Sequence, residues 1–318
     1  MKRRAFITSA AAAGAGGLAI TGTSPAQSAD RGKGPDRQPL GFTLTWLGVN
    51  GWWVSFDNTT FLVDPWVSRY TTGTFSPEGQ DPDTKITWDR ARIERTFDRP
   101  AEGILITHGH FDHISDIPFA ATKTGAAIWG TESHLNLVRS LGLRAGHPVD
   151  ETKLSLLRGG EEKNFPEYTV RVLRSVHRPF GPRQISGTAQ SRTTVEPAVE
   201  RISELGEGGS LIYVITNSRG KQLMILGSAD FSVSDLPSSC PDAVIFPTAG
   251  ASVAPFVKRF GNLIGTPQSI IASHWDNFDL PLQPPTDVGN VAALREAARS
   301  VMPRTRVIQP VPHAPIHI

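Results

Sequence analysis

Four apolar runs of strand length in this 318-residue chain each deliver the backbone onto a histidine or an aspartate. GILIT leads to His108, VRVLRSV to His177, LMILGSA to Asp230 and SIIAS to His274. Short continuous apolar runs bounded by polar residues read as buried strands. A polar donor at a strand end is held rigidly by the strand, while the loop it opens admits a ligand. A fold that satisfies this chain therefore has to carry several strand ends to one common edge.

The first of these ends is the densest. ITHGHFDHISD, residues 106–116, packs His108, His110, Asp112 and His113 into six positions. In extended or looping chain, residues two apart project the same way, so His108 and His110 can grip one cation together. Asp112 and His113 continue past the turn toward a second point. Neutral imidazole and carboxylate form the donor set of Zn²⁺, and also suit Fe or Mn²⁺. Gly109 is expected to let the backbone approach the metal closely. Four side chains do not complete two metals, and His177, Asp230 and His274 are the donors at the other strand ends.

The surrounding pattern is rich in short elements, as 30 glycines and 25 prolines imply. Leu40 to Asp64 reads as two or three antiparallel strands with an Asp57–Asn58 turn. Residues 67–87 read as a loop and WDRARIERTF as a short helix. AAIWG reads as a strand, and TESHLNLVRSLG as a helix capped by Thr131 and ended by Gly142. SLIYVIT and KQLMILG form a hairpin, and DAVIFP and RVIQPV are further strands. PTDVGNVAALREAARS is a helix capped by Thr286. Each half passes from a strand meander into strand and helix alternation. This predicts an α/β (α+β) chain of two β-rich halves, packed sheet to sheet with helices outside.

The first 29 residues have the layout of an export signal: Lys2, Arg3 and Arg4, an Ala/Gly-rich apolar run, then small residues over Ala26 to Ala29. RRAFI resembles a twin-arginine signal, with Lys2 where Ser or Thr is usual. The expected organisation is a signal over 1–29, a disordered linker over 30–39 and one folded domain over 40–318. The expected destination is periplasmic or extracellular, with the Tat translocase as partner during export. The run is too rich in Ala, Gly and Thr to make a stable membrane anchor. Removing the leader takes three of 32 basic residues and leaves 29 against 30 acidic, a net charge of −1. Such a surface has no excess charge with which to hold nucleic acid. Cys240 is the single cysteine, so no intramolecular disulfide forms.

HxHxDH followed by His, Asp and His in that order resembles the metallo-β-lactamase superfamily. LTWLG…FLVDPW resembles the branch that includes ascorbate-phosphate lactonase and N-acyl-phosphatidylethanolamine phospholipase D. The resemblance implies a four-layer αββα sandwich with the site along one edge of the sheets. It implies two Zn²⁺ per chain, with Mn²⁺ or Fe as alternatives. His108, His110 and His177 would hold one metal, and Asp112, His113 and His274 the other, with Asp230 bridging. Asp64 would lie beneath the site and orient ligands. Many members of the branch carry His where Val49 or Asn50 stands here. The implied chemistry is hydrolysis of an ester, lactone, phosphodiester or amide in a small-molecule substrate. Water held between the metals loses a proton near neutral pH and attacks, and Asp112 passes that proton to the leaving group. Trp275 and Arg178 are candidate substrate contacts. His134, His147, His313 and His317 read as ordinary histidines. The alternative is a mono-iron oxidoreductase of the persulfide-dioxygenase kind on the same fold, since those enzymes keep HxHxDH.

Overall fold

The computed structural model describes residues 39–177, 192–228, 230–237, 239–249, 253–282 and 290–318. The expected export signal, the expected linker up to residue 38, Arg178 and the expected Thr286 cap lie outside the described residues. The expected meander forms as β1 (Phe42–Gly48), β2 (Gly51–Phe56) and β3 (Thr59–Val63), antiparallel throughout. β4 (Gly103–Leu105), β5 (Ala127–Gly130) and β6 (Leu154–Leu156) then add in parallel. The far edge is closed by β14 (Pro315–His317), antiparallel to β1. The tail PHAPIHI therefore ends in a strand that its prolines concealed from a pattern reading.

The second sheet repeats this plan. β7 (Glu162–Asn164), β8 (Thr169–Ser175), β9 (Ser210–Thr216) and β10 (Gln222–Ile225) are antiparallel. β11 (Ala243–Pro247), β12 (Ser269–Ser273) and β13 (Arg306–Ile308) follow in parallel. Alternation along β1 sorts the faces. Phe42, Leu44 and Trp46 point into the space between the sheets, where Val172, Tyr213 and Ile225 meet them. Leu47, with Trp53 and Leu62 of the neighbouring strands, faces outward to the helices.

On that outer face lie α1 (Arg90–Thr96), α2 (Phe111–Ile114), α3 (Ile117–Thr124) and α4 (Glu132–Ala145). α5 (Val253–Ile264) and α6 (Val291–Val301) pack with the second sheet. The layers are helix, sheet, sheet, helix, the αββα sandwich expected.

Five helix assignments differ from the sequence reading, which did not expect α2 and α3. α4 runs through Gly142 to Ala145 and ends on Gly146, which takes the left-handed conformation at φ 68. Gly142 is instead a close-approach residue, since a Cβ there would lie 2.7 Å from the His147 carbonyl oxygen. α6 begins at Val291. α5 was not expected at all, because Pro255 and Gly261 interrupt its pattern. Its Val253, Phe256, Val257, Phe260 and Ile264 nevertheless share one buried face. Residues 67–87 form the expected loop.

Candidate metal centre

Every strand that delivers a predicted donor does so at its C-terminal end. β3 leads to Asp64, β4 to His108, β8 to His177, β10 to Asp230 and β12 to His274. The 108–113 segment leaves β4, turns at Gly109 and enters α2, whose first turn carries Asp112 and His113. Gly109 is needed for a different reason from the one expected. Its amide donates to the Glu207 carbonyl at 2.7 Å, and a Cβ there would sit 2.5 Å from the Gly206 carbonyl oxygen. The close approach is to neighbouring backbone.

Six of the seven expected donors gather into two groups. His108, His110 and His177 form one, and Asp112, His113 and His274 the other; within each, the donor atoms lie within 4.8 Å of one another. The groups adjoin, because the His108 and His113 ring centroids are 3.8 Å apart. His177 packs at 4.7 Å from His108 and 4.5 Å from His110, centroid to centroid. Asp112 Oδ2 lies 3.2 Å from His274 Nε2 and 3.7 Å from His113 Nε2.

Asp230 joins neither group. Its Oδ1 is engaged by the Arg259 guanidinium of α5 and accepts the Phe231 amide at 2.7 Å. Its backbone stays beside the cluster, where its carbonyl accepts from Ser175 Oγ at 3.2 Å, two residues before His177. Trp275 corrects the sequence reading. It is 4% exposed and stacks on Trp46 at 4.6 Å, so it belongs to the core and not to a substrate surface.

The base of the centre is Asp64, fully buried. Oδ1 accepts the Thr107 amide at 2.8 Å, while Oδ2 accepts from Thr107 Oγ1, Asn50 Nδ2 at 2.8 Å and His113 Nδ1 at 2.8 Å. Two of these partners were not singled out in the sequence. Asn50 also accepts from Ser273 Oγ at 2.7 Å and so ties Asp64 to the residue before His274. Behind His274, Asp276 accepts the Val49 amide at 3.0 Å and Arg69 Nη1 at 2.6 Å. Val49 in turn accepts the His274 amide at 2.7 Å. No spacing in the sequence signals Asn50, Arg69 or Asp276, since each is a single polar residue whose partner lies far along the chain.

Backbone conformation marks the same place. Val49, Asp64, Arg69 and His274 all hold left-handed φ values, of 49, 38, 49 and 52. Such conformations cost of order 1–3 kcal/mol each and persist where surrounding contacts over-determine them. Here the hydrogen bonds through Asp64 and Asp276 supply that determination.

The charge states of His108 and Asp112 suit cation binding. Burial and the neighbouring imidazoles hold His108 well below the usual histidine range, so the ring is neutral and its lone pair available. Burial opposes ionisation of Asp112, yet the imidazoles of His113, His274 and His110 outweigh it and hold the carboxyl well below its usual range. Burial likewise disfavours a charged His113, but Asp112 and Asp64 outweigh it and raise the ring. His113 Nε2 is buried and has no hydrogen-bond partner. A histidine held through Nδ1 by a carboxylate, with Nε2 directed at a second carboxylate and a second imidazole, matches the carboxylate–histidine–metal arrangement. The donors therefore fit a divalent cation.

Comparison with known proteins agrees with this geometry. Residues 44–162 match the family model described as metallo-beta-lactamase superfamily. A UPF0173 metal-dependent hydrolase of Myxococcus xanthus is 25% identical over 315 residues, covering 95% of each chain. One from Anaeromyxobacter dehalogenans is 24% identical, covering 84% of each. Among solved structures, an isothiocyanate hydrolase from Delia radicum gut bacteria superposes with a TM-score of 0.54 at 18% identity. That superposition covers 87% of this chain and 99% of the other and supports the fold.

Proposed function

We infer that the chain is a metal-dependent hydrolase of the metallo-β-lactamase superfamily. From that premise we propose a binuclear centre that cleaves an ester, lactone, phosphodiester or amide bond. His108, His110 and His177 hold one cation, and Asp112, His113 and His274 hold the other, with zinc the expected metal. The observation that carries this reading is two adjoining donor groups in which His113 Nε2 has no other partner. Asp230 remains the proposed bridging ligand, and to serve it has to release Arg259.

The bound cations supply Lewis acidity and bring the pKa of a water toward neutrality. Asp112, held ionised and 6% exposed, would hold a proton at Oδ2 and give it to the leaving group. Asp64 fixes the His113 ring plane, and Thr107 and Asn50 fix Asp64. The chain therefore positions six of the seven donors before any ligand arrives, which is the form of preorganisation that favours rate.

The test combines metal analysis of the purified protein with a panel of nitrocefin, aryl esters, lactones and aryl phosphodiesters. About two zinc per chain, with one class of substrate turned over, supports the reading. One iron per chain with no hydrolysis would favour the oxidoreductase alternative. Asp112→Ala should lower turnover on the order of 10²–10⁴-fold. Export by the twin-arginine route is proposed from the RRAFI leader alone. Replacing Arg3 and Arg4 by lysine should then keep the protein in the cytoplasm. Among the described residues, no helix is long and apolar enough to cross a membrane.

A further inference from the structure

A second concave site lies on the outer face of the first sheet, and none of the seven expected metal donors lines it. Its volume is about 580 Å³, within the range of cavities that hold small organic ligands. The lining carries Arg69, Arg92, Arg95 and Arg99 against the single carboxylate Asp98, while burial and the Arg92 charge hold His313 toward its neutral form.

The local sequence explains why these guanidinium groups converge. α1 buries Ile93, and Phe97 just past its end is buried too. Arg92 and Arg95, three positions apart, share one face of α1 that borders the groove, and Arg99 reaches it from the segment that follows the helix. Asp89 caps the helix by accepting the Arg92 amide at 2.9 Å, which fixes where that face points. Arg99 lies over the Trp53 ring at 4.4 Å.

The four arginines are not equivalent. Arg69 is buried and paired with Asp276, and its other donors go to the Asn277 and Leu280 carbonyls, so it offers the groove neither a free N–H nor an unbalanced charge. Arg92 is partly used, by Asp89 at 3.6 Å and the Val67 carbonyl at 3.3 Å. Arg95 and Arg99 have no carboxylate within ion-pair distance among the described residues. Like charges converging on one concavity repel, and an anion placed among them relieves that repulsion. Planar guanidinium forks match the oxygens of a phosphate or phosphonate head. Leu47, Val67, Trp53 and Leu282 form an apolar part of the wall, which suits an organic body behind the head.

We propose that this groove is an anion site, separate from the histidine and carboxylate centre, that binds a small organic phosphate or phosphonate through Arg92, Arg95 and Arg99. Its apolar wall takes the organic part of the ligand. The site does not depend on the metal reading, since it shares no side chain with the proposed ligands.

The test is calorimetric titration of phenylphosphonate and of inorganic phosphate into the full chain, both metal-loaded and chelator-treated. Binding of phenylphosphonate is expected in both forms, weakening as salt rises. Arg95→Ala/Arg99→Ala should weaken it by about tenfold or more, the loss of at least one charge-assisted contact. Arg95→Lys/Arg99→Lys should retain part of the affinity, which separates loss of charge from loss of fold. His110→Ala should leave phenylphosphonate binding to the chelator-treated chain unchanged. Three results would overturn the proposal: no binding to the chelator-treated chain, equal affinity in the folded double alanine variant, or inorganic phosphate binding as tightly as phenylphosphonate.

Discussion

His113 Nδ1 lies 2.8 Å from Asp64 Oδ2, and both side chains are wholly buried. That contact decides which ring nitrogen faces the centre. Asp64→Asn removes the charge and supplies one oxygen where two now accept. Metal affinity should fall about 10–100-fold, as for other losses of a carboxylate behind a ligating histidine. Competition against a chelator of known affinity measures it, and an unchanged affinity would detach Asp64 from the centre.

Arg259 competes with any cation for Asp230. Arg259→Met keeps an apolar side chain near the Phe231 ring, over which the guanidinium now sits at 4.4 Å. Freed of this half-exposed ion pair, the centre should bind metal roughly two- to fivefold more tightly, equivalent to about 0.5–1 kcal/mol. The same chelator competition reads it. An affinity equal to or below that of the parent would argue that Asp230 is no ligand.

Gly109→Ala places a methyl 2.5 Å from the Gly206 carbonyl oxygen and 2.9 Å from Leu137 Cδ1. The backbone oxygen is held near Glu207, itself bonded to the Gly109 amide, and has little room to move. A loss of about 1–3 kcal/mol in unfolding free energy is expected from such overpacking. Denaturant melts of the chelator-treated protein check it without contribution from bound metal.

His134 gives a pH dependence away from the centre. Burial lowers its pKa to about 4, and the neutral ring accepts the Thr131 amide at Nδ1 while Nε2 donates to the Glu207 carbonyl. Between pH 6.5 and about 4 the unfolded chain takes up a proton that the folded ring refuses. Stability from this residue is therefore complete above pH 6.5 and is lost as pH falls toward 4, by on the order of 3 kcal/mol. Asp116 opposes this, since burial raises its carboxyl to about 6 and stability from it is gained as pH falls below that value. The difference in thermal stability between the parent and His134→Gln isolates the histidine. It should narrow steadily from pH 7 to pH 4, and a constant difference would contradict the assignment.

Much of the centre was legible in the chain because its donors are polar residues set against apolar strands. His108, His110, Asp112 and His113 stand together in sequence, and His177 and His274 each end an apolar run. The places where reading failed share one cause. Trp275 follows His274 and reads as exposed by adjacency, yet the left-handed backbone at His274 accompanies an indole packed against Trp46. Asn50, Arg69 and Asp276 act through partners that lie between 14 and 227 positions away. α5 was hidden because local breakers outweigh a pattern that only burial against the second sheet completes.

The sequence by itself determined the alternation of short strands and helices, the donor types and the strand ends that carry them. Those are properties of side-chain polarity and local period, which act over a few residues. The tertiary structure decided which donors meet, that Asp230 rests on Arg259, and that α1 and the segment after it bring Arg92, Arg95 and Arg99 to one groove. Such choices depend on the packing of two sheets and on hydrogen bonds between distant segments. A linear pattern carries no record of those distances.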